Sequence, residues 1–226
     1  MYQTIIIENI TGPIGVLLSL FAGLYLLAFW YRQEGRLYTD MPLMFGVTLI
    51  ATALNLLVQS LTTLGVVLDT METLRIRALL IGGAVIPMVV MLLIIWVRRL
   101  ARFHPHMISL TILYWTGVSF LAPTEPLILG LLIPLLFVVS IAMMATFAVT
   151  WKTGRLTEVR SDLILLAMVF IFISQGARLA LTAAGWAFVS DTLNILSAAT
   201  LSIGLTINSL RTSDVSRPVT THPMSS

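Results

Sequence analysis

Residues 127–149 read LILGLLIPLLFVVSIAMMATFAV, a run of apolar residues without a single charge. As a helix this stretch is about 34 Å long at 1.5 Å per residue, enough to cross a hydrocarbon core of about 30 Å. It has no period-two alternation, which a membrane β-strand would need, so a closed barrel is excluded. The rest of the chain is built the same way. Of 226 residues, 58% are hydrophobic and 10% charged, with a mean hydropathy of +0.99. A soluble domain carries about 25% charged residues, and a globule this small cannot hide so much apolar surface from water. The fold class is therefore all-α, a polytopic membrane bundle.

Working outward from Leu127, seven apolar runs are long enough to span. They cover about Pro13–Tyr31, Met41–Val67, Ala78–Val97, Met107–Leu121, Leu127–Trp151, Leu163–Ala184 and Thr192–Leu210. Short connections join them: Arg32–Asp40, Leu68–Arg77, Arg98–His106, Ala122–Pro126, Lys152–Asp162 and Gly185–Asp191. The expectation is one membrane domain, 1–210, and a short disordered Ser/Thr/Pro-rich cytoplasmic tail, 211–226. The segment Met1–Glu8 has no basic n-region, so the first run is expected to stay as a helix rather than be cleaved.

The thirteen basic residues give the orientation. Ten fall on one side: Arg32, Arg36, Arg98, Arg99, Arg102, Lys152, Arg155, Arg160, Arg211 and Arg217. Two, Arg75 and Arg77, fall on the other, and Arg178 lies within the sixth run. Lys and Arg mark cytoplasmic loops, so the N-terminus is expected outside and the C-terminus inside, in the cell membrane. A pI near 9.7 then reports topology rather than a nucleic-acid partner. Trp30, Tyr31, Trp96, Trp151 and Trp186 sit near run ends, where aromatic rings favour the interface.

Several functions are excluded by what is missing. Microbial rhodopsins also have seven helices in this orientation, but hold retinal on a Lys of the seventh helix. The sole Lys here is Lys152, in a loop. A membrane cytochrome b needs facing His pairs inside the bundle. His104, His106 and His222 lie in a loop or the tail, and the His104–His106 pair reads as interfacial rather than as a metal site. With no Cys there is no thiolate chemistry. No acid sits at mid-membrane, and no phosphate loop, HExxH or GxSxG occurs. The expectation is a non-enzyme without cofactor or metal. Met88, Met91, Met143 and Met144 read as packing residues. Gly82, Gly83 and Ser197–Thr200 read as places of close helix approach, and Asn9-Ile10-Thr11 matches a glycosylation sequon beside the membrane.

Polar groups inside spans are costly and often functional. Asn55 and Gln59 lie i, i+4 on the second helix. Gln175 and Arg178 lie i, i+3 on the sixth, and Asp191 and Asn194 lie i, i+3 at the start of the seventh. All six fall in the outer half of the bundle. They form a candidate outward-facing ligand pocket, with Glu8, Arg75 and Arg77 at its rim. In this pocket Arg178 binds an anion or pairs with Asp191. The structural alternative is that Arg178 snorkels to the interface and the amides hold helices together.

Three stretches carry a family resemblance: Phe29-Trp30-Tyr31-Arg32-Gln33; Glu72-Thr73-Leu74-Arg75 leading to Pro87 and Trp96-Val97-Arg98-Arg99; and Gly154-Arg155-Leu156-Thr157 with Arg160-Ser161-Asp162. The layout resembles the seven-helix sensor modules at the N-terminus of many prokaryotic histidine kinases and diguanylate cyclases. The resemblance implies ligand binding in the bundle, or transmission through it, to a cytoplasmic output domain. Only residues 211–226 follow Leu210, so the chain is expected to work through a partner protein at the Arg98–His106 and Lys152–Asp162 loops or the tail. The leading expectation is a receptor- or sensor-like membrane protein. The alternatives are an accessory subunit of a larger membrane complex and a small-solute transporter; Pro87 and Pro134 do not give the latter the matched helix breaks of a repeat.

Overall fold

The computed structural model describes residues 2–33, 35–154 and 159–215; side chains are described between Ile10 and Ile207, except at 34, 155–158, 179, 182, 183 and 187. Among them are seven α-helices and no strand. They are α1 (Tyr2–Arg32), α2 (Met41–Thr63), α3 (Met71–Trp96), α4 (His104–Leu121), α5 (Glu125–Thr153), α6 (Ser161–Ala183) and α7 (Ala187–Val215). A 3₁₀ turn, Arg98–Phe103, precedes α4. Six helices, all but α4, are long and apolar enough to cross a membrane. The chain is a helical, multi-pass membrane protein.

Neighbour contacts arrange six helices as a closed ring. α1 packs on α2 and α7, α2 on α3, α3 on α5, α5 on α6, and α6 on α7. α4 lies outside this ring against α3 and α5. Its shortfall as a span comes from His104, Pro105 and His106, which dilute its first turn. It nevertheless runs antiparallel to α3 from end to end. His104 Nε2 lies 3.0 Å from the Val97 carbonyl, Trp115 Nε1 donates to the Ala78 carbonyl at 2.7 Å, and Arg75 Nη2 donates to the Ala122 carbonyl at 3.4 Å.

The ring is filled by apolar side chains. Phe45 of α2 and Phe147 of α5 meet at 6.1 Å, with Met91, Met143 and Ile164 around them. Met88 is also buried and Met144 packs against this core, so all four methionines are packing residues. The α1 and α2 backbones approach closely at Gly23 and Gly46. A Cβ on Gly23 would lie 3.0 Å from the Gly46 carbonyl oxygen, and one on Gly46 would lie 3.2 Å from that of Gly23. Without a hydrophobic force between helices in lipid, such backbone approach carries much of the association.

The boundaries differ from the expected ones where local chemistry outweighs hydropathy. α2 ends at Thr63 rather than Val67, because Gly65 adopts φ +73° and Val66 N–H bonds the Leu61 carbonyl at 2.9 Å. This is a Schellman-type stop. α3 starts at Met71 rather than Ala78: the Thr70 hydroxyl accepts from Thr73 N–H at 3.3 Å, and Glu72 sits in the positive first turn. α7 starts at Ala187 rather than Thr192, after a tight turn at Gly185. α1 starts at Tyr2, so Pro13 lies inside it. α7 runs to Val215, and 216–226 of the expected tail lie outside the described residues, as does the Glu8 side chain.

Candidate functional site

These shifted boundaries carry polar residues into the helices. Arg75 and Arg77, expected at a loop rim, lie in the second turn of α3. Being two residues apart, they face different neighbours. Arg75 reaches the end of α4, and its Nε is buried without a partner. Arg77 turns toward α2, where its Nε donates to Asn55 Oδ1 at 3.4 Å and its Nη2 to Gln59 Oε1 at 3.2 Å. Asn55 and Gln59 thus share one face of α2, and Arg77 meets both.

The second group joins α6, α7 and α1. Arg178 Nη2 lies 3.2 Å from Asp191 Oδ1, and the Thr11 hydroxyl donates to Asp191 Oδ2 at 3.5 Å. The two charged side chains are only 17% and 12% exposed, so this is an inward pair rather than a snorkelling arginine. Thr11 was legible only as part of a sequon. In the structure it sits within α1 and contacts Asp191. Ser174, one turn below Arg178 on α6, and Ser190, the residue before Asp191 on α7, bond reciprocally. Their hydroxyls lie 2.8 Å apart, and each donates to the other's carbonyl at 2.9 or 3.0 Å. This buried clasp, absent from the sequence reading, fixes α6 against α7 beside the ion pair.

The two remaining candidates separate. Gln175 is exposed and does not join the cluster: the three-residue spacing to Arg178 leaves them about 60° apart around the helix, and Arg178 alone turns inward. Asn194 is 5% exposed, one turn below Asp191, and its Nδ2 has no partner. Ser197, a further turn down that face, has an unpartnered buried Oγ.

Among the described residues no hydrogen bond or ion pair joins Arg77 to Arg178 or Asp191; the two groups lie at the same end of the bundle, where Gly12 of α1 meets Ser60 of α2 and Thr11 meets Asp191 of α7. Among the described residues, five helices therefore supply two polar groups at one end of the bundle, Arg77 with Asn55 and Gln59, and the Arg178–Asp191 pair with Thr11. No cluster of three or more His, Asp or Glu that could hold a metal ion occurs among the described residues. No family model, no curated protein and no solved structure matches the chain. The class is fixed by the fold alone, a multi-pass helical membrane protein, with half-buried guanidinium groups at the end where α3 and α7 begin.

Proposed function

We propose that this chain is a non-enzymatic, receptor-like protein of seven spans, N-terminus outside, that takes a ligand at an outward-facing polar pocket and acts through a partner protein. The observation that carries the reading is the incomplete pairing of the cluster. Polar groups that only fasten helices together find partners in the bundle. Here Arg77 has no carboxylate within 4 Å among the described residues, and Asn194 Nδ2 has no acceptor. The antiparallel run of α4 along α3 supports a seventh span. The partner is suggested by the sensor-module resemblance and by the exposed 3₁₀ turn, which presents Leu100 and Phe103 among Arg98, Arg99 and Arg102.

The absence of Cys makes the topology directly testable. Single Cys residues at Thr70 and Thr124 are expected to react with a membrane-impermeant maleimide on intact cells. Cys at Arg36 and Arg102 is expected to react only after lysis. Reaction at Thr70 but not Thr124 on intact cells would mean that α4 does not cross. For the partner, a photo-crosslinking residue at Phe103 is expected to trap one protein at native expression. A stable stoichiometric complex without any ligand effect would favour an accessory subunit, and solute uptake by liposomes a transporter.

A further inference from the structure

We infer that the outer polar end of the bundle binds a small monocarboxylate, with Arg77, held by Asn55 and Gln59, as its principal ligand; this rests on reading that end as an outward-facing ligand site. The first argument is charge. Arg178 is matched by Asp191 at 3.2 Å, whereas Arg77 meets only the neutral amide oxygens of Asn55 and Gln59. Those contacts, 3.4 and 3.2 Å, are longer than the roughly 2.7–2.9 Å of an ionic hydrogen bond. Asp69 and Glu125 act on Arg77 only through space and from exposed positions, where water screens them. The contacting groups therefore leave one positive charge in excess. Arg77 is half-buried, so its guanidinium is partly dehydrated without a counter-charge, and one added anion offsets that cost.

The second argument is hydrogen-bond polarity. A guanidinium has five N–H groups, and Arg77 uses two of them in these contacts. The Asn194 Nδ2 amide, buried one turn below Asp191, is also a donor without an acceptor. Unfilled donors call for a ligand rich in acceptors. The single excess charge calls for a monoanion, since a phosphate dianion would also be repelled by Asp191. A planar carboxylate matches the guanidinium fork with two parallel bonds.

The test uses the full chain in zwitterionic nanodiscs, followed by thermal unfolding. Acetate, propionate and benzoate are the probes; the corresponding amides, inorganic phosphate and nanodiscs with anionic lipid are the controls. Saturating carboxylate is expected to raise the unfolding midpoint by several degrees, the amides to leave it unchanged, and Arg77→Gln to abolish the shift. Independently, Asn55→Asp supplies the missing carboxylate from within the chain. It is expected to raise the midpoint without ligand and to remove the carboxylate response. A lower midpoint for Asn55→Asp, or no carboxylate shift in the unsubstituted protein, overturns the proposal. Shifts with phosphate, anionic lipid or amides that need Arg77 also overturn the monocarboxylate but leave the pocket standing. The pocket itself falls if Asn194→Cys, the sole thiol, resists an impermeant maleimide from both faces.

Discussion

Replacing Asp191 by Asn is expected to cost about 3 kcal/mol of stability, the lower end of the range for breaking a buried ion pair from one side. In a chain of this size that lowers the unfolding midpoint by roughly 6–12 °C. The cost comes from the partner left behind rather than from the bond lost. Arg178 is 17% exposed and has no second carboxylate in contact among the described residues. It would then stand as a second guanidinium without a carboxylate at the same end of the bundle as Arg77. The Thr11 hydroxyl, 3.5 Å from Asp191, can still donate to an Asn oxygen and will not repair the charge. Two further measurements separate charge from shape. The Arg178→Met, Asp191→Leu double variant is expected to unfold near the unsubstituted midpoint, because neither side chain strands a charge. Saturating benzoate is expected to raise the midpoint of Asp191→Asn, which has two uncompensated guanidiniums, by more than that of the double variant, where Arg77 alone remains to bind it. An unchanged midpoint for Asp191→Asn alone would mean that water reaches the pair and screens it.

The reason a two-sided cluster was only half legible lies in how helix ends are encoded. Hydropathy located the apolar centre of every helix, since each centre contacts lipid or core and nothing else competes. Helix ends answer to caps. Thr70 and Glu72 signal a start at Met71, but a reading by apolar content passes over them and places Arg77 in a loop. Gly65 signals the stop of α2 in the same way. Asn55, Gln59, Arg178 and Asp191 were found because a polar residue in a long apolar run stands out. Arg77 was placed at the rim because it borders the run, and Gln175 was included because three-residue spacing only loosely defines a face. Thr11 and the Ser174–Ser190 clasp carry no sequence signal of their own. Small hydroxyl residues are common in membrane helices, and only the packing of α6 on α7 and α1 selects these three. The serines matter to the site because α7 must be held at a fixed height for Asp191 to meet both Thr11 and Arg178.

Trp115→Ala is expected to be as damaging as the loss of Asp191, for a different reason and in a different place. Trp115 is 1% exposed and is the main anchor of α4, the one helix outside the ring. Its indole lies directly on Gly82 of α3: a Cβ there would stand 2.5 Å from two ring atoms. Its Nε1 donates to the Ala78 carbonyl one turn earlier at 2.7 Å. Truncating a buried Trp costs about 3–5 kcal/mol in soluble cores, where cavity and transfer terms add. Between membrane helices the transfer term is weak, so packing and the hydrogen bond must account for the effect, and about 3 kcal/mol is expected. Trp115→Phe keeps an aromatic ring but loses the bond and the part of the indole that covers Gly82, at about 1–2 kcal/mol. Gly82→Ala should harm the protein by pushing the ring away, and the two faults should compensate: Gly82→Ala with Trp115→Ala is expected to be more stable than Gly82→Ala alone. Unfolding midpoints of the four proteins give this coupling directly, and additive losses would show that indole and glycine do not share one contact. The damage should also stay local. The six-helix ring closes without α4, so a single Cys at Thr124 should change its labelling rate in Trp115→Ala, while one at Thr70, beside the cluster, keeps the rate of the unsubstituted protein.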